Sequence, residues 1–343
     1  MTYFLTYIAL LFGGLSTRKN VNLRGILYYA CLFGLFIFVG FRYRVGCDWG
    51  GYLVIFNSAR RNELFSSGIE PAFFAANQFL HYFELEYPYI NVIASAGFFV
   101  GLGALARRQP DPLNFLVLAF PILILNLAMS ALRQSLAFGF LCFAFNAFVD
   151  KRLGWYVGFV AIAMTFHTSA GAFLLLAPFI RGDFSRKRIA LGALLALPGL
   201  YYLMTSTFYE MYARRYIGTA TEAFGAPFRT ALVAASAITF LWLFDRKWKE
   251  LFPSDYKMVK LLSYAMIAVF PISFLSSVAG DRFGYYLSAI QLVILARLPF
   301  MVTGRRSTWW YMAPHMVLGL TLLMWVLRSS LFEKCYVPYQ TWL

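Results

Sequence analysis

Long apolar runs broken by short polar stretches set the pattern of this chain. Runs at 23–41, 89–106, 113–129 and 312–327 approach the ~20 residues a helix needs to cross a hydrocarbon core of about 30 Å. The first run, 3–15, is shorter and has no basic stretch before it, which predicts a first span and not a cleaved signal. The whole pattern predicts an all-α integral membrane protein of about ten full spans. They fall near 3–15, 24–41, 88–106, 113–129, 133–149, 189–204, 229–244, 257–279, 284–300 and 310–327. Residues 70–83 (EPAFFAANQFLHYF) are amphipathic and too short to cross, so they predict a helix lying at the interface.

Composition agrees. Of 343 residues, 61% are hydrophobic and 20% aromatic, more than a soluble core requires. The net charge of +15 sits in loops between spans, so it points to topology and away from nucleic acid. Basic residues cluster at 18–24, 107–108, 151–152, 181–188, 246–260 and 297–306, which together hold 19 of the 30 Lys and Arg. Seven of the eight lysines are among them. The positive-inside rule makes these loops cytoplasmic, with both termini on the outer side. The opposite face is then basic almost entirely through arginine.

One segment decides the topology. Residues 155–180 are long enough for a tilted span, but basic clusters flank both ends. A single crossing would invert everything downstream and leave the basic excess outside. A re-entrant hairpin at about 155–180 is therefore predicted, with Phe166-His167-Thr168-Ser169 at its outer tip. Non-helical backbone at membrane depth is tolerated only inside protein or beside a wet cavity. With no internal repeat or low-complexity linker, 1–343 is predicted as one polytopic domain, with sizeable outer loops at about 42–87 and 204–228.

Soluble-enzyme signatures are missing. His81, His167 and His315 lie far apart, and there is no H-E-x-x-H, C-x-x-C or G-x-x-x-x-G-K-[ST]. The polar residues that remain converge on the outer face: Arg44 with Asp48 and Tyr52, Glu70, Arg133-Gln134, His167, Asp281-Arg282 with Tyr286, and the closing Tyr336-Val337-Pro338-Tyr339. Each also has a plain structural reading. Arg133 and Arg282 could be snorkelling anchors, Asp48 a helix N-cap or a partner of Arg44, and His167 a hydrogen-bonded turn residue. Together they are harder to dismiss, because ionisable groups near membrane depth are costly and usually face a cavity. Cys31 and Cys142 fall within spans as small core residues. Cys47 and Cys335 both fall on the outer, disulfide-permissive side. Only topology brings those two together, so two free thiols are expected, with a bond as the alternative.

Several of these residues fall into motifs. R-x-G-x-D-x-x-x-Y occurs as Arg44, Gly46, Asp48 and Tyr52; R-Q-x-L-A runs from Arg133 to Ala137; F-H-x-S-A runs from Phe166 to Ala170. With Arg282, Tyr286 and Tyr336-x-Pro338-Tyr339, the chain resembles the EpsG/Wzy-type exopolysaccharide and O-antigen polymerases of bacterial membranes. The resemblance implies a metal-independent glycosyltransferase without a cofactor. Such an enzyme moves a growing glycan from undecaprenyl diphosphate to the sugar of another undecaprenyl-diphosphate-linked repeat unit, at the outer face of the bacterial cytoplasmic (inner) membrane. Its partners would be those lipid-linked oligosaccharides, membrane lipid and a protein that regulates chain length, with no nucleic acid. His167 and Asp48 are then the catalytic candidates. Arg44, Glu70, Arg133, Gln134, Arg282, Tyr286 and Tyr339 are candidates for holding diphosphate or glycan. The chemistry is consistent: an arginine fork grips phosphate oxygens in pairs where lysine is a point charge, and the acceptor hydroxyl needs a base near neutral pKa. An O-antigen-ligase-like transferase, a lipid-linked oligosaccharide transporter and a membrane acyltransferase using His167 are the competing readings.

Overall fold

The structure is a computed structural model and describes residues 1–59, 69–182, 185, 187, 190, 194, 225–302 and 305–343. The span expected at 189–204 and the outer loop expected at 204–228 fall almost wholly outside these residues, as do Arg60 and Arg61. The described residues are helical, with one isolated β-bridge, between Arg42 and Thr341.

In chain order the helices are α1 (Thr2–Ser16), α2 (Val21–Gly40), α3 (Trp49–Ala59), α4 (Pro71–Tyr82), α5 (Pro88–Ala106), α6 (Pro112–Ala119), α7 (Leu132–Val149) and α8 (Leu153–Phe166). After them come α9 (Ala226–Thr239), α10 (Asp245–Leu251), α11 (Tyr256–Leu275), α12 (Ser277–Arg297), α13 (Arg305–Arg328) and α14 (Ser330–Tyr336). Two helices widen into π turns, α6 through Phe120–Ala128 and α9 through Phe240–Phe244 into α10. Among the described residues, seven segments are long and apolar enough to cross a membrane: Val21–Gly40, Pro88–Ala106, Leu132–Val149, Ala226–Leu251, Tyr256–Leu275, Ser277–Met301 and Ser307–Arg328. The expected spans at 3–15 and 113–129 correspond to the shorter apolar helices Thr2–Ser16 and Pro112–Ala128.

Local chemistry marks the starts. Asn20 caps α2 by accepting from the Leu23 N–H, Asp111 caps α6 by accepting from the Asn114 N–H, and Ser329 caps α14 through Phe332 N–H. Proline opens α4, α5 and α6, where its missing N–H costs nothing.

The chain divides into two compact units. The first comprises Met1–Cys142, Ile162–Thr168 and Leu295–Leu343; the second comprises Phe143–Ala161 and Ser169–Ile294. In the first, α5 and α7 touch backbone to backbone. A Cβ at Gly101 would meet the Gly139 carbonyl oxygen, and one at Gly139 would meet that of Gly97. Gly97 and Gly101 form the small-xxx-small face that lets membrane helices close to this distance.

The two ends of this unit differ in chemistry. At one end Arg24 bridges to Asp111, and the Arg297 Nε donates to Gln109 at 2.8 Å, so the basic loops 18–24, 107–108 and the end of α12 share that end. At the other end Tyr3 donates to the Tyr336 carbonyl at 2.8 Å, and the tail returns to the 41–46 loop. In the second unit Arg181 Nε donates to the Lys151 carbonyl and Lys257 donates to that of Gly182. Loops expected to share the cytoplasmic face are thus neighbours within each unit.

The 155–180 segment breaks where expected. Helix α8 ends at Phe166, His167 is non-helical, and a 3-10 helix (Thr168–Phe179) follows. The Tyr156 hydroxyl donates to the Phe173 carbonyl and Arg181 reaches Lys151, so the second arm runs back along the first. Fourteen residues at ~1.5 Å span about 21 Å and twelve at ~2.0 Å span about 24 Å. The tighter 3-10 winding thus matches two arms that are each too short to cross.

Candidate functional site

The geometry begins with a proline. Pro71 opens α4 and pushes Glu70 into an extended conformation (φ −64°, ψ 141°) at the N-cap position. The Glu70 side chain makes no capping bond there. Its carboxylate instead receives Arg133 Nη1 at 2.6 Å, at the start of α7. Tyr52 of α3 approaches the same residue from the side, its hydroxyl accepting from the Arg133 backbone N–H at 3.4 Å. The Arg133 side chain is a quarter exposed, while its Nε is buried and has no partner among the described residues. A buried guanidinium donor left unpaired costs free energy unless something else fills it.

An apolar cluster holds this arrangement up. Tyr52, Phe56, Phe73, Leu80, Tyr87, Leu132 and Leu136 form one core, with Trp49 and Phe166 packed against it. The hairpin residue before His167 therefore rests on the same core that supports Arg133, and the Phe166 ring stacks on Phe140 at 5.6 Å. His167 itself is 6% exposed, and Gln134, following Arg133, is 4% exposed. Both are engaged by neighbours. Burial pushes the hydroxyl pKa values of Tyr52 and Tyr87 up, so both stay protonated donors across the physiological range.

The Arg44–Asp48 loop joins this cluster through Tyr52. Asp48 directly precedes α3, and its carbonyl accepts from the Tyr52 N–H at 3.0 Å, the N-cap geometry that the plain reading allowed. Its side chain, like that of Arg44, is exposed. Two residues here have positive φ, Arg44 at 55° and Gly46 at 109°. Glycine is required at the second: a Cβ on Gly46 would run into the Met129 carbonyl oxygen. The kinked loop turns Val45 inward and offers its carbonyl to Arg42 Nε at 3.0 Å.

Arg42 is a residue that motif reading passes over. It is 1% exposed, with Nε on the Val45 carbonyl and Nη1 on that of Val39 at 2.6 Å. A cation there satisfies carbonyls at the end of α2, where the helix dipole is negative. Burial pushes its pKa down to about 10, and the facing Tyr87, Tyr336, Tyr339 and Tyr3 oppose that fall.

The tail clamps the loop. Gly46 N–H donates to the Cys335 carbonyl, Tyr43 N–H to Gln340, and Trp342 N–H to Phe41. Cys47 and Cys335 are bonded, with their Cα atoms 4.7 Å apart, which corrects the expectation of two free thiols. The main-chain pairing around them supplies the proximity that their separation of 288 residues hid. Tyr339 is half-buried, stacks on Phe38 at 4.6 Å and donates to its carbonyl at 2.9 Å. Tyr336 reaches the Ser130 hydroxyl and the Leu125 carbonyl.

The second unit carries its own ion pair. Arg229 of α9 grips Asp281 of α12 through Nε at 2.8 Å and Nη2 at 2.5 Å, and lies over the Tyr285 ring. Helix α12 begins at Ser277, so Asp281 and Arg282 lie inside it, whereas the sequence pattern predicted its start near 284. Tyr286 is fully buried, edge-on to Phe173, and receives a 3.4 Å hydrogen bond from Ser169. Among the described residues no three His, Cys, Asp or Glu side chains gather where they could hold a metal ion.

Comparison with known proteins decides the family. The EpsG family model matches residues 25–341, nearly the whole chain. The chain belongs to the EpsG family. The match takes in Arg44, Asp48, Glu70, Arg133, Gln134, His167, Arg282, Tyr286 and Tyr339. Neither the curated proteins nor the solved structures compared with it include a match. EpsG membership associates the chain with glycosyltransferase-like exopolysaccharide polymerisation, and its helices are those of a multi-pass membrane protein.

Proposed function

We propose that this protein is a polysaccharide polymerase of the bacterial cytoplasmic membrane. It transfers a growing glycan from undecaprenyl diphosphate to the sugar of another lipid-linked repeat unit, with the reacting groups on the outer side. The observation that carries the reading is the Arg133 fork: Nη1 is fixed by Glu70 while the buried Nε has no partner among the described residues. A guanidinium oriented in this way is matched to a diphosphate oxygen.

In this reading the acceptor hydroxyl attacks the anomeric carbon and the bond from that carbon to the diphosphate oxygen breaks. The hydroxyl proton passes to His167, or to Asp48 if His167 only orients. Negative charge grows on the leaving diphosphate, and Arg133 stabilises it there, a role that metal ions fill in other phosphate chemistry. Arg44 and Arg282 are the further candidates for phosphate oxygens, and Gln134, Tyr286 and Tyr339 for the glycan. The Cys47–Cys335 bond supports an outward orientation, because disulfides persist in oxidising compartments. The basic loops of the first unit, gathered at the end away from the Arg44–Asp48 loop, support the same orientation.

Reconstitution tests the proposal. Purified protein in vesicles, given the undecaprenyl-diphosphate-linked repeat unit alone, should build a ladder of longer lipid-linked glycans. A single transfer to an unrelated acceptor would indicate a ligase. Movement of unaltered repeat units across the vesicle membrane would indicate a transporter.

A further inference from the structure

The end of the first unit that carries the basic loops contains a cavity of about 650 Å³, in the size range of sites for small organic ligands. Three guanidinium groups line it, from Arg18, Arg24 and Arg107, against one carboxylate, that of Asp111. Arg24 is already committed. Its Nε and Nη2 bind Asp111 at 2.9 and 2.6 Å, and Nη1 binds the Gly14 carbonyl. It forms a wall of the cavity and neutralises Asp111. Arg18 and Arg107 are different: both side chains are exposed and neither has a carboxylate partner among the described residues. Arg18 lies over the Tyr311 ring, its guanidinium carbon 4.6 Å from the ring centre, a contact that positions the guanidinium without using its N–H donors.

The cavity also leads along an apolar track. Val21, Gly25, Tyr29 and Phe33 recur every four residues and so share one stripe of α2. The three side chains are 83%, 58% and 66% exposed, and a Cβ added at Gly25 would meet nothing within 4 Å. Gly25 is thus a notch between a cationic recess and an exposed apolar face. A compact anion would need the recess alone. An anion carrying an acyl chain would use both.

We infer that this cavity binds a phosphate-ester anion, with an anionic phospholipid of the surrounding leaflet as its source. The phosphate lies between Arg18 and Arg107, and the first acyl segment lies in the Gly25 notch. Basic recesses between membrane helices on the cytoplasmic side hold lipid headgroups in this way. The site is separate from the Arg133 cluster and does not depend on the polymerase reading.

The test uses the full-length protein in nanodiscs of phosphatidylcholine, with or without phosphatidylglycerol. Lipid retention is followed by native mass spectrometry and stability by thermal melting. Wild type should retain phosphatidylglycerol preferentially and melt at a higher temperature in its presence. Arg18→Ala with Arg107→Ala should reduce that preference about thirtyfold, the loss of two basic contacts of roughly 1 kcal/mol each. Gly25→Trp should block the notch while leaving both arginines in place, and should also lose retention. Inorganic pyrophosphate, titrated in detergent without lipid, is the second arm. If it raises the melting temperature of wild type but not of the double variant, while phosphatidylglycerol does neither, the ligand is a soluble phosphate ester bound at the same two arginines. Equal retention of both lipids by wild type with no response to pyrophosphate, or undiminished preference in the double variant, overturns the site.

Discussion

Glu70 lies at the N-cap of its helix without capping it, and holds Arg133 at 2.6 Å instead. A capping bond is worth about 1 kcal/mol, so the helix forgoes local stability to orient a cation on another segment. Lysine at 133 could still reach Glu70 but would lose the second face of the fork. Arg133→Lys should therefore lose activity by one to two orders of magnitude at normal protein level, since a charge-assisted hydrogen bond contributes roughly 1.5–3 kcal/mol. Glu70→Gln should weaken substrate binding more than turnover, because the guanidinium stays but loses its fixed aim. Chain elongation by the two purified variants measures both. Near-wild-type elongation by Arg133→Lys would reduce Arg133 to an anchor.

The two positive-φ residues of the motif loop give a paired experiment. Gly46→Ala meets the Met129 carbonyl and a disfavoured φ together, and should cost on the order of 1–3 kcal/mol and lower the folded yield. Gly50→Ala, in α3 with open space around its Cβ, should be neutral or slightly stabilising. Arg44→Gly relieves backbone strain at φ 55° and should keep or raise the melting temperature while activity falls. A parallel fall in stability and activity for Arg44→Gly would mean that the side chain is structural.

Legibility from sequence followed physical lines. The expected 24–41 and 88–106 spans emerge as Val21–Gly40 and Pro88–Ala106 because the length of an apolar run is a local signal. The break at 166–169 was visible because basic loops on both sides of 155–180 forbade a crossing. The start of α12 was not. Hydropathy counts Asp281 and Arg282 as polar and stops the helix, but cannot see Arg229 neutralising Asp281 from 52 residues away. The Glu70–Arg133 pair was hidden for the same reason, although both residues were candidates. Arg42 was missed because its partners are backbone carbonyls, which leave no trace in side-chain patterns.

Base chemistry separates His167 from Asp48. His167 is buried at a helix break, whereas Asp48 is exposed at the start of α3. His167→Ala should reduce turnover by about 10²–10⁴-fold, the usual contribution of a general base, with the repeat unit still bound. Retained turnover in His167→Ala, together with its loss in Asp48→Asn, would transfer the role to Asp48.

Arg229 and Arg282 make a controlled comparison within the second unit. Arg229 grips Asp281 through two nitrogens, so Arg229→Ala strips a mostly buried carboxylate of both bonds, leaving it only the nearby charge of Arg282, and should destabilise the fold by roughly 3 kcal/mol. Arg282→Lys retains charge and should leave melting unchanged while elongation falls. Thermal melting and elongation, measured on both variants, distinguish a structural arginine from a functional one. The assignment of Arg282 fails if its lysine variant elongates normally.

The Cys47–Cys335 bond joins topology to chemistry, because it closes the tail over the loop that carries Arg44 and Asp48. Peptide mapping without reductant should recover one cross-linked Cys47–Cys335 fragment, while the buried Cys142 alkylates only after unfolding. In intact cells a cysteine placed at Lys334 or Thr168 should react with an impermeant thiol reagent, and one placed at Lys19 should not. Removing the bond with paired Cys47→Ser and Cys335→Ser leaves the Gly46–Cys335 and Tyr43–Gln340 main-chain bonds in place. The tail should then stay docked at low temperature and release earlier on heating, with elongation lost in the same interval. Activity that outlasts release of the tail would show that the clamp protects the loop without shaping it. Reaction of the Lys334 site only after the inner face is exposed would reverse the orientation and remove the outward site with it.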